Sequence, residues 1–218
     1  MAKQISNRAR AFTLIGTIIT QFALGSVYTW SLFNAKLADK LSEPVSQVAF
    51  AFGIMSLALA VASSLSGKMQ ERFGVRKVTI GAGILLGVSL LLTANASNLI
   101  MLYVFGGFLI GFADGTGYLL TLSNCVKFFP NHKGLASACA IGAYGLGSLG
   151  FKFINMYLLT HVSLAYTFEI WGAIAMTMVI IGGLMMTDAP NQQVSATSTA
   201  TVRDFSLAEA VRCPQYWM

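Results

Sequence analysis

Six long apolar runs divide the chain, at residues 11–33, 46–66, 78–96, 99–126, 134–160 and 164–187. Each reaches the ~20 residues that cross ~30 Å of hydrocarbon at ~1.5 Å per residue. A helix satisfies its own backbone hydrogen bonds where no water is present, so each run predicts one spanning helix. The alternating segments of ~10 residues that mark a membrane barrel are absent. The pattern predicts an all-α membrane protein with six transmembrane helices. Arg8 and Arg10 precede the first run, as they would in a signal peptide. That run exceeds a ~7–15-residue signal core, and five more follow, so it reads as a retained helix.

The polar breaks organise these helices. Residues 34–47 contain Pro44, with Ser46 expected as the N-cap of the second helix. Asn95–Asn98 and residues 161–163 are short, so their flanking helices are antiparallel neighbours. Pro130 ends the fourth helix because it cannot continue one. The spacing predicts two three-helix units, runs 1–3 and 4–6, in inverted orientation, a plan that transporters use. Residues 1–187 form the expected six-helix bundle. Residues 188–218 read differently: a polar, low-complexity linker at 189–203, then an amphipathic stretch ending in Cys213, Tyr216 and Trp217. Tyr216 and Trp217 resemble the aromatic belt of a seventh helix. The expectation is a first half, with a second bundle of the same polypeptide absent from this sequence.

Composition agrees. The chain is 56% hydrophobic and 10% charged, against about 25% charged in soluble domains. The net charge of +6 would suit nucleic acid, but its distribution does not. Lys3, Arg8, Arg10, Lys68, Arg72, Arg76, Lys77, Lys127 and Lys133 fall on the N-terminus and the even-numbered turns; the opposite turns hold Lys36 and Lys40. This bias predicts a cytoplasmic N-terminus and contact with anionic lipid. Cys125, Cys139 and Cys213 lack metal or disulfide spacing. His132 and His161 stand apart from any Ser, Asp or metal partner, and no Walker loop occurs. Gly145–Gly150 spells G-x-G-x-x-G inside an apolar run without a preceding strand, so it predicts helix packing rather than a dinucleotide site. Gly107, Gly111, Gly115, Gly83 and Gly87 predict close helix contacts in the same way. No cofactor, metal site or enzyme chemistry is predicted.

Residues Gly67–Lys77, GKMQERFGVRK, fall between the second and third runs. They resemble the signature loop of the major facilitator superfamily, G-x-x-x-D-R-x-G-x-[RK]-[RK]. Gly67, Arg72, Gly74, Arg76 and Lys77 match, and Glu71 replaces the usual Asp. Within that superfamily the chain resembles the oxalate/formate antiporter family. The carrying segments are GSVYTWSLF at 25–33, GFADGTGYLLTLSNCVKFFPNHKGLA at 111–136 (Phe128 in place of a Trp), GAYGLGSLG at 142–150 and the terminal CPQYW. The resemblance implies the N-terminal bundle of a twelve-helix fold in a bacterial inner membrane. It implies alternating access for small carboxylates such as oxalate, formate or pyruvate-like acids, with the basic binding residues largely in the second bundle.

Three ionisable residues lie inside runs: Asp114, Lys152 and Glu169. Each is costly in lipid, so each is expected to face protein or a cavity. Tyr144, Ser148 and Lys152 are spaced by four on one helix face; Asp114, Tyr118 and Thr121 share another; Tyr28 shares a third with Gln21 and Gly25. Tyr28, Tyr118 and Tyr144 could donate to carboxylate oxygens or could tie helices together. Lys152 could pair with Glu169, the favoured expectation, or attract an anion. Asp114 could carry a proton, but a hydrogen-bonded packing role is favoured. The residues at Gly67, Glu71, Arg72, Gly74, Arg76 and Lys77 are the expected gating loop. A secondary carrier is the leading reading. A self-contained six-helix channel is the alternative. An intramembrane hydrolase would need a nucleophile and base at matching depth, and Asp114 is alone.

Overall fold

A computed structural model describes residues 7–189. The expected linker beyond Ala189, together with Cys213, Tyr216, Trp217 and Lys3, lies outside the described residues. Six helices are long and apolar enough to span a membrane. Span 1 is Asn7–Leu32, span 2 Val45–Phe73, span 3 Val75–Ala94, span 4 Leu99–Phe128, span 5 Lys133–His161 and span 6 Leu164–Met185. Among the described residues there is no strand, so the Gly145–Gly150 motif sits within a helix.

Two expectations about helix ends need correction. Span 2 begins at Val45 behind Pro44, and Ser46 lies inside the helix, not at its cap. Proline tolerates this place because the first-turn N–H groups have no helical partner to lose. The stretch at Gly67–Lys77 is not a loop. Span 2 stays helical to Phe73, Gly74 alone breaks the path, and span 3 starts at Val75. Gly74 has φ 81° and ψ 156°, a backbone shape that side chains disfavour. That single residue turns the chain back between two spans. Spans 4 and 6 have polar caps: Asn98 Oδ1 accepts from Met101 N–H at 2.9 Å, and Ser163 Oγ from Tyr166 N–H at 3.3 Å.

The contacts show the inverted repeat. Exchanging spans 1, 2 and 3 for 4, 5 and 6 maps the main contacts onto one another, although spans 4 and 5 pack together more than spans 1 and 2 do. Span 2 packs along span 4 as span 5 packs along span 1, and span 6 meets span 1 as span 3 meets span 4. Spans 3 and 6 pair with each other, as do spans 1 and 4. Spans 1 and 4, which exchange, are also the two that depart from α geometry. Gly25–Leu32 is 3₁₀ and Leu102–Leu109 is π-helical.

Small residues let these backbones approach. A side-chain carbon on Gly107, Gly111 or Gly115 would meet the carbonyls of Ala51, Met55 and Leu59 in turn. The constant four-residue step on both helices is the signature of parallel packing. Tyr103 extends the seam with a 2.9 Å hydrogen bond to the Gln47 carbonyl. Gly83 and Gly87 similarly receive Val179 and Met176 of span 6.

The segment between spans 1 and 2 is not a plain turn. Asn34–Leu41 forms a short helix. Lys36 donates to the Leu159 carbonyl near the end of span 5, and Lys40 donates to the Ala94 carbonyl at the end of span 3 at 2.7 Å. Both lysines therefore satisfy carbonyls that a helix C-terminus leaves unpaired. Burial pushes the Lys40 ammonium below the usual lysine range.

Candidate functional site

Three tyrosines from three spans meet, two of them partly buried and Tyr28 half-exposed. The Tyr144 ring lies 4.8 Å from Tyr118 and 5.6 Å from Tyr28, centroid to centroid. Tyr28 also packs edge-on to Phe52 of span 2 at 5.9 Å. The 3₁₀ segment explains Tyr28. Gln21 and Gly25 are buried, whereas Tyr28 emerges half-exposed from the tighter winding. Gly25 and Tyr28 both lie against Tyr144, and Gln21 against the Tyr118 carbonyl, so the three turn toward one cluster while only Tyr28 is exposed.

Asp114 is fully buried beneath this cluster. Its Oδ2 accepts the Tyr144 hydroxyl at 2.8 Å, while Oδ1 finds no donor among the described residues. Gln21 braces the same region: its Nε2 donates to the Tyr118 carbonyl at 3.0 Å and to Thr121 Oγ1 at 3.1 Å. Nearer the opposite end, Asn155 donates to Thr29 at 2.8 Å and Trp171 to Ser26 at 2.8 Å. These bonds fix the 3₁₀ segment against spans 5 and 6. A polar residue inside an apolar run is the signal that marks Gln21 and Asn155 in the sequence, but their partners are not readable from it.

The favoured Lys152–Glu169 pair is not formed. Lys152 is exposed, on a stripe with Leu149, Phe153 and Met156, and Glu169 makes no ion pair with it. Span 5 turns Phe151, Asn155 and Leu159 inward instead. Similar depth brings two charges together only when their helices also point them at each other. Lys152 does not join the tyrosine cluster through any described bond.

At the end holding Gly74, a second polar site gathers. The chain leaving span 6 is held by spans 1, 3 and 4, and span 2 braces the span 4 residue that holds it. Thr187 N–H meets Thr13 Oγ1 at 3.4 Å, and Asn124 donates to the Thr187 carbonyl at 2.9 Å. Asn124 Oδ1 accepts from Gln70 at 3.1 Å and from Ala189 N–H at 3.0 Å. Asp188 Oδ1 accepts Val75 N–H at 2.8 Å, and Arg76 Nε donates to the Met186 carbonyl at 3.3 Å. An anion at a helix N-terminus satisfies a free N–H and the helix dipole together. The acid that does so for span 3 is Asp188, not Glu71. Glu71, Gly67, Gly74 and Lys127 line a cavity of about 650 Å³ beside this junction. Arg72 lies over the Phe73 ring at 5.3 Å, and Lys77 is exposed. An acid two residues before a proline at the end of an apolar run is the sequence trace of the Asp188 role.

The sequence model of the major facilitator superfamily matches residues 12–217. The chain belongs to that superfamily. It is 63% identical over 211 residues to the uncharacterized MFS-type transporter YhjX of Escherichia coli strain K12, covering 97% of this chain and 52% of that protein. It is 25% identical over 213 residues to the oxalate:formate antiporter of Oxalobacter formigenes, covering 96% of this chain and 50% of that protein. Monocarboxylate transporter 13 of Bos taurus is 26% identical over 164 residues, 74% of this chain and 38% of that protein. The chain thus spans about half the length of the relatives it matches most extensively. These relatives are transporters rather than enzymes.

Proposed function

We propose that this bundle is the first half of a secondary carrier for small carboxylate anions. The tyrosine cluster carries the reading. Three hydroxyl-bearing rings converge from spans 1, 4 and 5, and one of them is already donating to a carboxylate, that of Asp114. A phenol that serves one carboxylate is chemically suited to another. The oxalate:formate antiporter and the monocarboxylate transporters supply the substrate class by similarity.

Spans 2 and 5 are the least buried, each 28% over the window that would cross the membrane. Tyr28 sits between Phe52 of span 2 and Tyr144 of span 5. The uncovered faces are therefore where a second six-helix bundle would close over the tyrosines, and rocking of the two bundles would expose them alternately. Lys152 would face that same interface and could attract the anion. The excess of basic residues at the Gly74 end would put that end, and the N-terminus, in the cytoplasm of a bacterial inner membrane.

Reconstitution of the full-length protein in proteoliposomes with labelled oxalate, formate and pyruvate tests this. Flux of at least one is expected. Tyr144→Phe and Tyr118→Phe should insert normally and weaken affinity by ~0.5–3 kcal/mol each. Flux of none of the three, or wild-type affinity in both variants, refutes the reading.

A further inference from the structure

The Tyr144 hydroxyl holds one proton and serves one acceptor at a time. It is the single donor that Asp114 has among the described residues. No cation stands near enough to replace it. Span 2 carries its titratable groups, Lys68, Glu71 and Arg72, nine or more residues beyond the Leu59 level that packs on Gly115, about 14 Å or more along the helix. Span 3 carries Arg76 and Lys77 in its first turn only, and span 6 carries Tyr166 and Glu169 near its start. Span 5 offers Tyr144 itself; Lys152 is eight residues on and exposed, Lys133 is eleven residues before, Tyr157 and His161 are thirteen and seventeen residues on, and Cys139, five before, is a thiol. Span 1 offers Tyr28; its Arg8 and Arg10 lie fourteen or more residues before Leu24, which packs on Gly117. On the helix of Asp114 itself, Tyr118 lies one turn on and Lys127 thirteen residues on. The groups facing Asp114 are phenols.

We propose that Asp114 is the coupling-proton site of this carrier. The idea rests on the carboxylate reading of the tyrosine cluster. When an anion takes the Tyr144 hydroxyl, Asp114 loses its donor. A fully buried carboxylate with no donor and no cation is costly. A proton taken from the open side of the cluster onto Oδ1 converts it to the neutral acid, which can then donate in its turn. One proton enters with each anion. When the anion leaves, Tyr144 returns to Oδ2 and the proton departs. Neither event involves a covalent bond other than that O–H. Anion and proton binding favour each other, and the ordinary span of such a coupling is roughly 5–150-fold.

The full-length native protein in detergent is titrated with oxalate, formate and pyruvate in weak buffer, with an indicator dye reporting protons. About one proton taken up per anion bound is expected, together with a new infrared band of a protonated carboxyl group. That band should vanish in Asp114→Asn. The amide resembles the neutral acid, so Asp114→Asn should bind at the native low-pH affinity at every pH. In proteoliposomes it should keep anion exchange and lose accumulation driven by a pH gradient. In the native protein each unit of gradient should accumulate a monocarboxylate about tenfold. Binding without proton uptake in the native protein overturns the proton site while leaving the tyrosine reading intact, whether or not the variant folds. A sodium gradient that replaces the proton gradient overturns it too. Binding of none of the three anions removes both readings.

Discussion

Asp188 offers the sharpest test of how the Gly74 junction is held. Asp188→Ala removes the 2.8 Å acceptor of Val75 N–H at the start of span 3. Loss of such a cap costs ~0.5–2 kcal/mol, which already includes the favourable placement of a negative charge at a helix N-terminus. The Asp188 side chain is exposed, so water can replace part of the bond. The lower half of the range applies, near ~1 kcal/mol, or roughly fivefold in a local opening equilibrium. The full-length protein in detergent is followed by amide hydrogen exchange at Val75 and across 186–189. Asp188→Ala should speed exchange at both places by about that factor, while amides deep in spans 3 and 6 keep their protection. Asp188→Asn retains an acceptor oxygen and should lose less. Glu71→Ala is the decisive control, because Glu71 makes no described bond to this helix start. If Glu71→Ala deprotects Val75 as much as Asp188→Ala does, the junction has been assigned to the wrong acid.

Other consequences follow from packing. Gly115→Leu places a side chain against the Leu59 backbone, and overpacking of this kind costs ~1–3 kcal/mol. It should lower the melting temperature in detergent, whereas Gly142→Ala, with open space around it, should not; equal effects would refute the seam. Lys152→Ala and Glu169→Ala should each keep native stability and combine additively. A measured coupling of ~0.5 kcal/mol or more in a thermal double-mutant cycle would restore the pair.

Span number and length were legible because hydrocarbon thickness imposes them one segment at a time. The runs at 78–96 and 164–187 needed no knowledge of one another to be identified, and they match spans 3 and 6 to within a few residues. The glycines at 107, 111 and 115 were legible as contact points for a similar reason: the four-residue step is a local property of one helix. Gly67–Lys77 was recognisable as a motif but not as a shape. Its loop-like composition concealed a helix that runs to Phe73 and a turn made by Gly74 alone.

Partners across helices were a different matter. Depth along a span can be counted, but the direction a side chain faces depends on how each helix is rotated by everything packed around it. Lys152 and Glu169 agree in depth and differ in direction, so the pair fails. Tyr144 and Asp114 lie 30 residues apart on different spans and meet at 2.8 Å. Tyr28, in the 3₁₀ segment, meets Tyr144, which lies 116 residues away in sequence. Asp188 lies 113 residues from Val75 in sequence, yet it caps the helix because span 3 starts after two spans and Asp188 follows six, both even, so both lie at the same end. Local chemistry chose the helices; their mutual rotation, which no single segment encodes, chose which polar groups would meet.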